Sequence, residues 1–259
     1  MMIDAQAPVS VSAASLARMV QIARAAGRRV MESYGSSVAA TKGDQSPLTA
    51  ADLASQQVIM HALVDWDAGI PIVSEESEIP DYEERKRWVR FWLVDPLDGT
   101  KEFLQRNGEF TVNIALIDHG EPVLGVVHAP ALAVTYAAGL GLGSWRYTEG
   151  AAAERLVSDR SRRPGLLRIV ESRSHPSTEL ERYLQTLPVA ERLQVGSSLK
   201  FCHLAEGRAD VYPRMSPIME WDVAAGDCVF RNSAGVGSRP SPLRYNSPDM
   251  RIPSFVLGL

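Results

Sequence analysis

The chain has 259 residues, enough for one large domain or two closely joined halves around a sizeable core. Hydrophobic residues make up 45% and charged residues 22%, and 27 basic against 31 acidic side chains leave a net charge of −4. That balance gives no support to a general nucleic-acid binder, which would usually carry a basic excess. No apolar run of about 18 residues is present, so no membrane span is expected. The first residues lack the basic start and apolar run of a signal peptide. Cys202 and Cys228 are too few and too far apart for a zinc site or a disulfide framework, and favour a reduced, cytoplasmic setting.

In chain order, Leu16, Met19, Val20, Ala23, Val30 and Tyr34 recur at helical spacing, and Gly35 stops the pattern. A loop with Gly43 and Pro47 leads to a helix expected over 50–66, with Leu53, Ile59, Leu63 and Trp66 inward. Residues 70–74 read as a short buried strand ending in Glu75-Glu76, and the charged 78–90 as a solvated loop or short helix. A strand over 91–94 runs straight into Asp95. Strands over 110–117, 123–128 and 134–138, with turns at Gly120 and across 139–143, predict an antiparallel meander flanked by helices.

The second half starts near Arg155. It predicts strands over 167–170 and 209–212 and helices over 178–187, 197–206 and 222–233. The tail, 239–259, is rich in proline and serine and closes with the apolar Phe255-Val256-Leu257. No linker separates residues 1–154 from 155–259, so the two halves are expected to pack as one unit.

Asp95-Pro96-Leu97-Asp98-Gly99-Thr100 places two carboxylates three residues apart on a tight turn at a strand end. Pro96 fixes the backbone between them, and Gly99 permits a conformation or approach that a side chain would block. Both carboxylates and the Leu97 carbonyl can then face one place, an all-oxygen setting that suits a hard divalent cation. The five histidines show no ligand spacing, so magnesium is favoured over zinc. Taken alone, Asp-Pro-Leu-Asp-Gly is also simply a good turn sequence. Glu75, Asp52 and Asp222 add three acids, each with an ordinary reading of its own. Asp52 with Thr49 matches a capping box, Asp222 suits a helix N-cap, and Glu75 suits a surface position.

Together these pieces are ordered as in a known family. Residues 44–52, Ser74-Glu75-Glu76, the 95–100 turn and Trp221-Asp222-Val223-Ala224-Ala225-Gly226 resemble the magnesium-dependent inositol monophosphatase superfamily. Lys101-Glu102-Phe103, Gly196-Ser197-Ser198-Leu199-Lys200, the 207–214 segment and Pro242-Leu243-Arg244-Tyr245-Asn246 resemble its bacterial bisphosphate-nucleotidase branch. Residues 235–241 depart from that branch's usual approach to the last motif.

The resemblance implies an α+β fold, a layered α/β/α/β/α sandwich of the inositol monophosphatase and fructose-1,6-bisphosphatase type. It implies hydrolysis of 3'-phosphoadenosine 5'-phosphate to AMP and phosphate, in sulfur metabolism, and leaves the sulfated form open as a second substrate. Two or three Mg2+ ions are implied, the first on Glu75, Asp95 and the Leu97 carbonyl, the second on Asp95, Asp98 and Asp222. Thr100 would orient the attacking water, and Asp52 would accept a hydrogen bond from Thr100. The amides of Gly99 and Thr100 would cradle phosphate oxygens at a helix start.

A second phosphate needs cationic or amide donors of its own, and Lys200 with Ser197, then Arg214 and Lys101, are the candidates. Tyr245 is a weaker candidate for the adenine face against a packing role. The branch also implies inhibition by lithium and a monomer or homodimer. One competing reading is an inositol or sugar monophosphatase, against which Lys101 and the 196–200 segment argue. Another is a catalytically silent metal- or nucleotide-binding protein, against which the intact acidic set argues.

Overall fold

The computed structural model describes residues 9–34, 39–41, 47–157, 165–174, 177–233 and 241–258. The expected stop at Gly35, the loop around Gly43, the side chain of Thr49 and the segment 235–240 lie outside the described residues.

The N-terminal half opens with α1 (Ala13–Ser33), whose cap Ser12 accepts a hydrogen bond from the Ser15 amide at 3.2 Å. A short hairpin, β1 (Ala39–Thr41) and β2 (Pro47–Thr49), leads into α2 (Ala50–Trp66). Then come β3 (Ile72–Ser74), α3 (Tyr82–Arg85), β4 (Arg90–Asp98) and α4 (Thr100–Leu104). The meander follows as β5 (Thr111–Asp118), β6 (Glu121–Ala129), β7 (Val134–Gly139), β8 (Gly143–Thr148) and β9 (Glu154–Leu156). Strands β3 to β9 form one sheet in sequence order, with β3 parallel to β4 and every later pair antiparallel.

The C-terminal half carries β10 (Leu167–Ser172), α5 (Thr178–Leu184), β11 (Val189–Val195), α6 (Leu199–Ala205) and β12 (Tyr212–Arg214). It ends with β13 (Ile218–Met219), α7 (Glu220–Arg231), β14 (Arg251–Ile252) and β15 (Phe255–Leu257).

The large sheet is apolar on both faces, as its nearly unbroken hydrophobic strands require. Side chains alternate along each strand. Trp92, Val94, Ile114, Leu116, Leu124 and Val126 pack with α1 and α2. Phe91, Leu93, Ala115, Ile117, Val127 and Ala129 pack with α6 and α7. Beyond α6 lie β10 and its parallel partner β11, with β12 and β15 alongside, and α5 covers Ile169 and Val211 on the outside. The order is helices, sheet, helices, sheet, helix, the layered sandwich expected from the sequence.

Several details differ from the sequence reading. Leu53 is 47% exposed, because the inward stripe of α2 runs through Asp52, Ser55, Ile59, Leu63 and Trp66, one residue out of phase with it. Helix α5 ends at Leu184 rather than 187, ahead of Pro188. The strand expected over 209–212 begins only at Tyr212. Strands β8, β9 and β11 carry many polar and exposed residues and give no strong apolar alternation to read.

Helix α7 lies very close to β6, and a glycine permits it. A Cβ at Gly125 would sit 2.6 Å from the Cys228 Cβ and 2.9 Å from the Ala225 carbonyl oxygen. Gly125→Ala is therefore expected to destabilise the fold by about 1–3 kcal/mol through overpacking, read as a lower unfolding temperature. No helix among the described residues is long and apolar enough to cross a membrane.

Candidate active site

Strand parity brings the acids together. Val73 and Leu93 face α7, so Glu75 and Asp95, two residues further along their strands, face it too. The Glu75 amide donates to the Val94 carbonyl at 3.2 Å, which fixes the two strand ends side by side. Asp98, three residues after Asp95, would point to the opposite face of a regular strand. A bulge corrects this. Asp95 lies opposite Asn113 and Asp98 opposite Thr111, so three steps along β4 match two along β5. Pro96, which cannot donate to the ladder, sits inside the bulge, and its carbonyl accepts from the buried Ser55 hydroxyl at 2.8 Å. The Leu97 amide donates to Asp95 at 3.1 Å, tightening the turn.

Asp222 arrives from the other layer. Helix α7 begins at Glu220 with Met219 as its cap, so Asp222 stands in the first turn and not at the cap. One carboxylate oxygen each from Glu75, Asp95 and Asp222 lie within 4.8 Å of one another.

Gly99 takes a left-handed φ of 88°, and Thr100 then starts α4. A Cβ at Gly99 would collide with the Ser197 hydroxyl. Phe103 anchors this short helix against Phe110 and Tyr34, with ring centroids at 5.1 and 5.3 Å. Ser197, itself left-handed at φ 51°, directs its hydroxyl at the carbonyls of Asp98 and Glu109, at 2.9 and 2.7 Å. It buttresses the Gly99 turn, and α6 begins two residues later, at Leu199.

These groups line one cavity of about 290 Å³. Glu75, Asp95, Leu97, Asp98, Gly99, Thr100, Lys101, Ser197, Lys200, Arg214 and Asp222 all border it. Asp52 does not, but it is buried behind, close enough for its charge to push the Asp95 carboxyl up. Tyr245 is also away from the cavity, buried with its hydroxyl donating to Asp227 at 2.9 Å, so its role is packing.

The electrostatics are unbalanced without a cation. Burial, then the nearby Glu75, Asp98 and Asp222, push the Asp95 carboxyl well above the usual carboxylate range. Burial, then Asp98 and Glu75, does the same to Asp222. Asp98 is pushed up to about 6, chiefly by burial, against the pull of Lys200 and the Ser198 amide. One Asp95 oxygen is buried with no hydrogen-bond partner. A hard divalent cation would reverse the repulsion and satisfy that oxygen, so Glu75, Asp95 and Asp222 fit a metal, with Asp98 beside them.

Lys200, the first candidate for meeting a second phosphate, is buried on the cavity lining. Its ammonium donates to the carbonyls of Ser197 at 2.5 Å and Val195 at 3.4 Å. Burial pushes it down to about 8. An ammonium has three protons, so one remains for a ligand in the cavity. Arg214, also on the lining, donates to the Ser216 carbonyl at 3.2 Å.

Several contributors escape sequence reasoning. The Ser198 amide holds Asp98 at 2.7 Å, and its hydroxyl donates to the Asp222 carbonyl at 2.6 Å, which links the two acids. Asn113 reaches Asp98 at 3.4 Å. A lone amide inside the apolar run of β5 is the signal that could have found it.

The sequence profile of the inositol monophosphatase family matches residues 12–247. Over 217 residues the chain is 50% identical to the 3'(2'),5'-bisphosphate nucleotidase CysQ of Shigella flexneri, covering 83% of this chain and 86% of that one. The protein of the same name from Escherichia coli K12 is 49% identical over 217 residues, covering 83% of this chain and 86% of that one. The crystal structure of CysQ from Bacteroides thetaiotaomicron, titled as a bacterial member of the inositol monophosphatase family, matches with a TM-score of 0.79 at 36% identity. The match covers 94% of this chain and 96% of that one.

Proposed function

Because this chain belongs to the inositol monophosphatase family, we propose that it is a magnesium-dependent 3'(2'),5'-bisphosphate nucleotidase that hydrolyses 3'-phosphoadenosine 5'-phosphate to AMP and phosphate. The observation that carries the reading is the meeting of Glu75, Asp95 and Asp222 within 4.8 Å, in a cavity that also holds the buried cation Lys200. The carboxylates suit the reacting phosphate through Mg2+, and Lys200 suits a second phosphate that the carboxylates would repel.

Glu75, Asp95, the Leu97 carbonyl, Asp98 and Asp222 would hold two or three Mg2+ ions. When bound, such ions neutralise phosphate charge and make water a better nucleophile. Thr100 would orient that water, and Asp52, buried nearby, would accept a hydrogen bond from the Thr100 hydroxyl. The amides of Gly99 and Thr100 donate to the phosphate oxygens. Water adds to phosphorus in line, the bond from phosphorus to the 3' oxygen breaks, and that oxygen leaves with a proton. Lys200, Arg214 and Lys101 hold the 5' phosphate away from the reacting centre. Cys202 and Cys228 are buried free thiols, which supports a cytoplasmic setting.

The test is phosphate release with and without Mg2+ from 3'-phosphoadenosine 5'-phosphate, its sulfated form, inositol 1-phosphate and a sugar phosphate. Fastest release from the nucleotide, and only with Mg2+, is expected. Faster turnover of inositol phosphate would move the chain to another branch, and no release from any substrate would remove the hydrolase reading.

Lys200→Met is expected to raise KM for the bisphosphate by roughly 10–100-fold, the loss of one charge-assisted hydrogen bond. In the unaltered protein KM should climb as pH passes about 8, where the ligand-free ammonium loses its proton. The variant's KM should not follow that climb.

A further inference from the structure

The Pro242-Leu243-Arg244-Tyr245-Asn246 motif stands outside the cavity, yet its last residue lies in a buried clamp. Glu220, the first residue of α7, is 0% exposed. Its two oxygens accept from consecutive backbone amides, Asn246 and Ser247, each at 2.7 Å. Its own amide donates to the Met250 carbonyl at 2.9 Å.

Arg85, the last residue of α3, grips the same loop from the opposite side and is 2% exposed. It donates to the Asn246 side-chain oxygen at 2.9 Å and to the carbonyls of Ser247 at 3.2 Å and Pro248 at 3.0 Å. Its Nε reaches back to the Pro80 carbonyl at 2.8 Å. The Asn246 amide group returns a bond to the Arg85 carbonyl at 2.7 Å. A buried carboxylate takes the loop's N–H groups and a buried guanidinium takes its carbonyls, so each charge is compensated through the loop between them.

The two arms lead to different metal-ligand candidates. Glu220 is two residues before Asp222. Arg85 and the Pro80 carbonyl hold the segment that links Glu75 to β4, which carries Asp95. We propose that the 246–250 loop, clamped by Glu220 and Arg85, is a positioning element that sets the separation of Asp222 from Glu75 and Asp95, and so the affinity for Mg2+. This rests on the metal-dependent reading above. Asn246 is the central residue, because it touches both arms. At φ 78° it sits where glycine is also comfortable, so Asn246→Gly removes the side chain without straining the backbone.

The experiment titrates Mg2+ into the whole protein by calorimetry, with Mn2+ electron paramagnetic resonance as a second readout, neither of which needs turnover. Asn246→Gly is expected to weaken Mg2+ binding about tenfold and to raise the Mg2+ concentration for half-maximal activity by the same factor. KM at saturating Mg2+ should change less. Val30→Ala, a buried position in α1 far from the clamp, supplies a variant destabilised by ordinary core loss. Its Mg2+ affinity should stay unchanged. Asn246→Gly with unaltered affinity would overturn the clamp, as would equal weakening in Val30→Ala. Failure of the unaltered protein to bind Mg2+ would overturn the metal-dependent function itself, and the clamp with it.

Discussion

Asp98→Asn is expected to cut turnover by about 10²–10³-fold at saturating Mg2+, while the folded state survives unchanged or slightly strengthened. The fold should persist because the bond that matters to it is kept. Asp98 accepts from the Ser198 amide at 2.7 Å, and an amide oxygen accepts in the same place. The charge is what disappears. In the metal-free protein that charge is unfavourable, since burial pushes Asp98 up to about 6. Removing it relieves repulsion with Glu75 and Asp222 but takes one negative group from the cation site. Activity and stability should therefore move in opposite directions. Phosphate release measured beside thermal unfolding in a chelator checks both at once. Near-normal turnover would remove Asp98 from the reacting centre, and a collapse in unfolding temperature would make it structural instead.

How far the sequence discloses this site depends on which physical rule places each residue. Strand parity is legible. Glu75 and Asp95 end two apolar runs, and Val73 and Leu93 already say which face they share. The bulge is half legible, because Pro96 and Gly99 announce a turn but do not say that Asp98 will return to the Asp95 face. Asp222 is legible only through its motif. Nothing local indicates that α7 will pack over the strand ends, a position set by close contact at Gly125.

Lys200 shows where reading by residue type fails. Lysine is rarely buried, so the default is a solvated charge. Two carbonyls, of Ser197 and Val195, make burial tolerable, and neither pairing can be inferred before α6 is placed. The Asn246 clamp is less visible still, since it joins residues 161 positions apart.

Mg2+ is expected to raise the unfolding temperature strongly at pH 8 and hardly at all at pH 5. Asp95, Asp98 and Asp222 all have folded-state values raised above the ordinary 3.8, by burial first and by one another next. For raised carboxyls the stabilising contribution is complete below the unfolded value and is lost as pH climbs through the folded one. The metal-free protein should therefore lose stability from about pH 4 upward through about 6, where Asp98 ionises, and beyond as the other two follow. Mg2+ needs the ionised forms, so protons compete with it far more at pH 5 than at pH 8, where Asp98 has already lost its proton. At a concentration a hundred times its dissociation constant it would add about 2.7 kcal/mol. For a chain of this length that is roughly 5–11 °C. Calcium should stabilise in the same pH-dependent way without supporting turnover, because it accepts looser geometry than Mg2+ demands. The measurement is thermal unfolding over a grid of pH and metal concentration. A shift equal at pH 5 and pH 8 would mean that the ion binds elsewhere, since only a site built from these carboxyls must lose its protons to receive it.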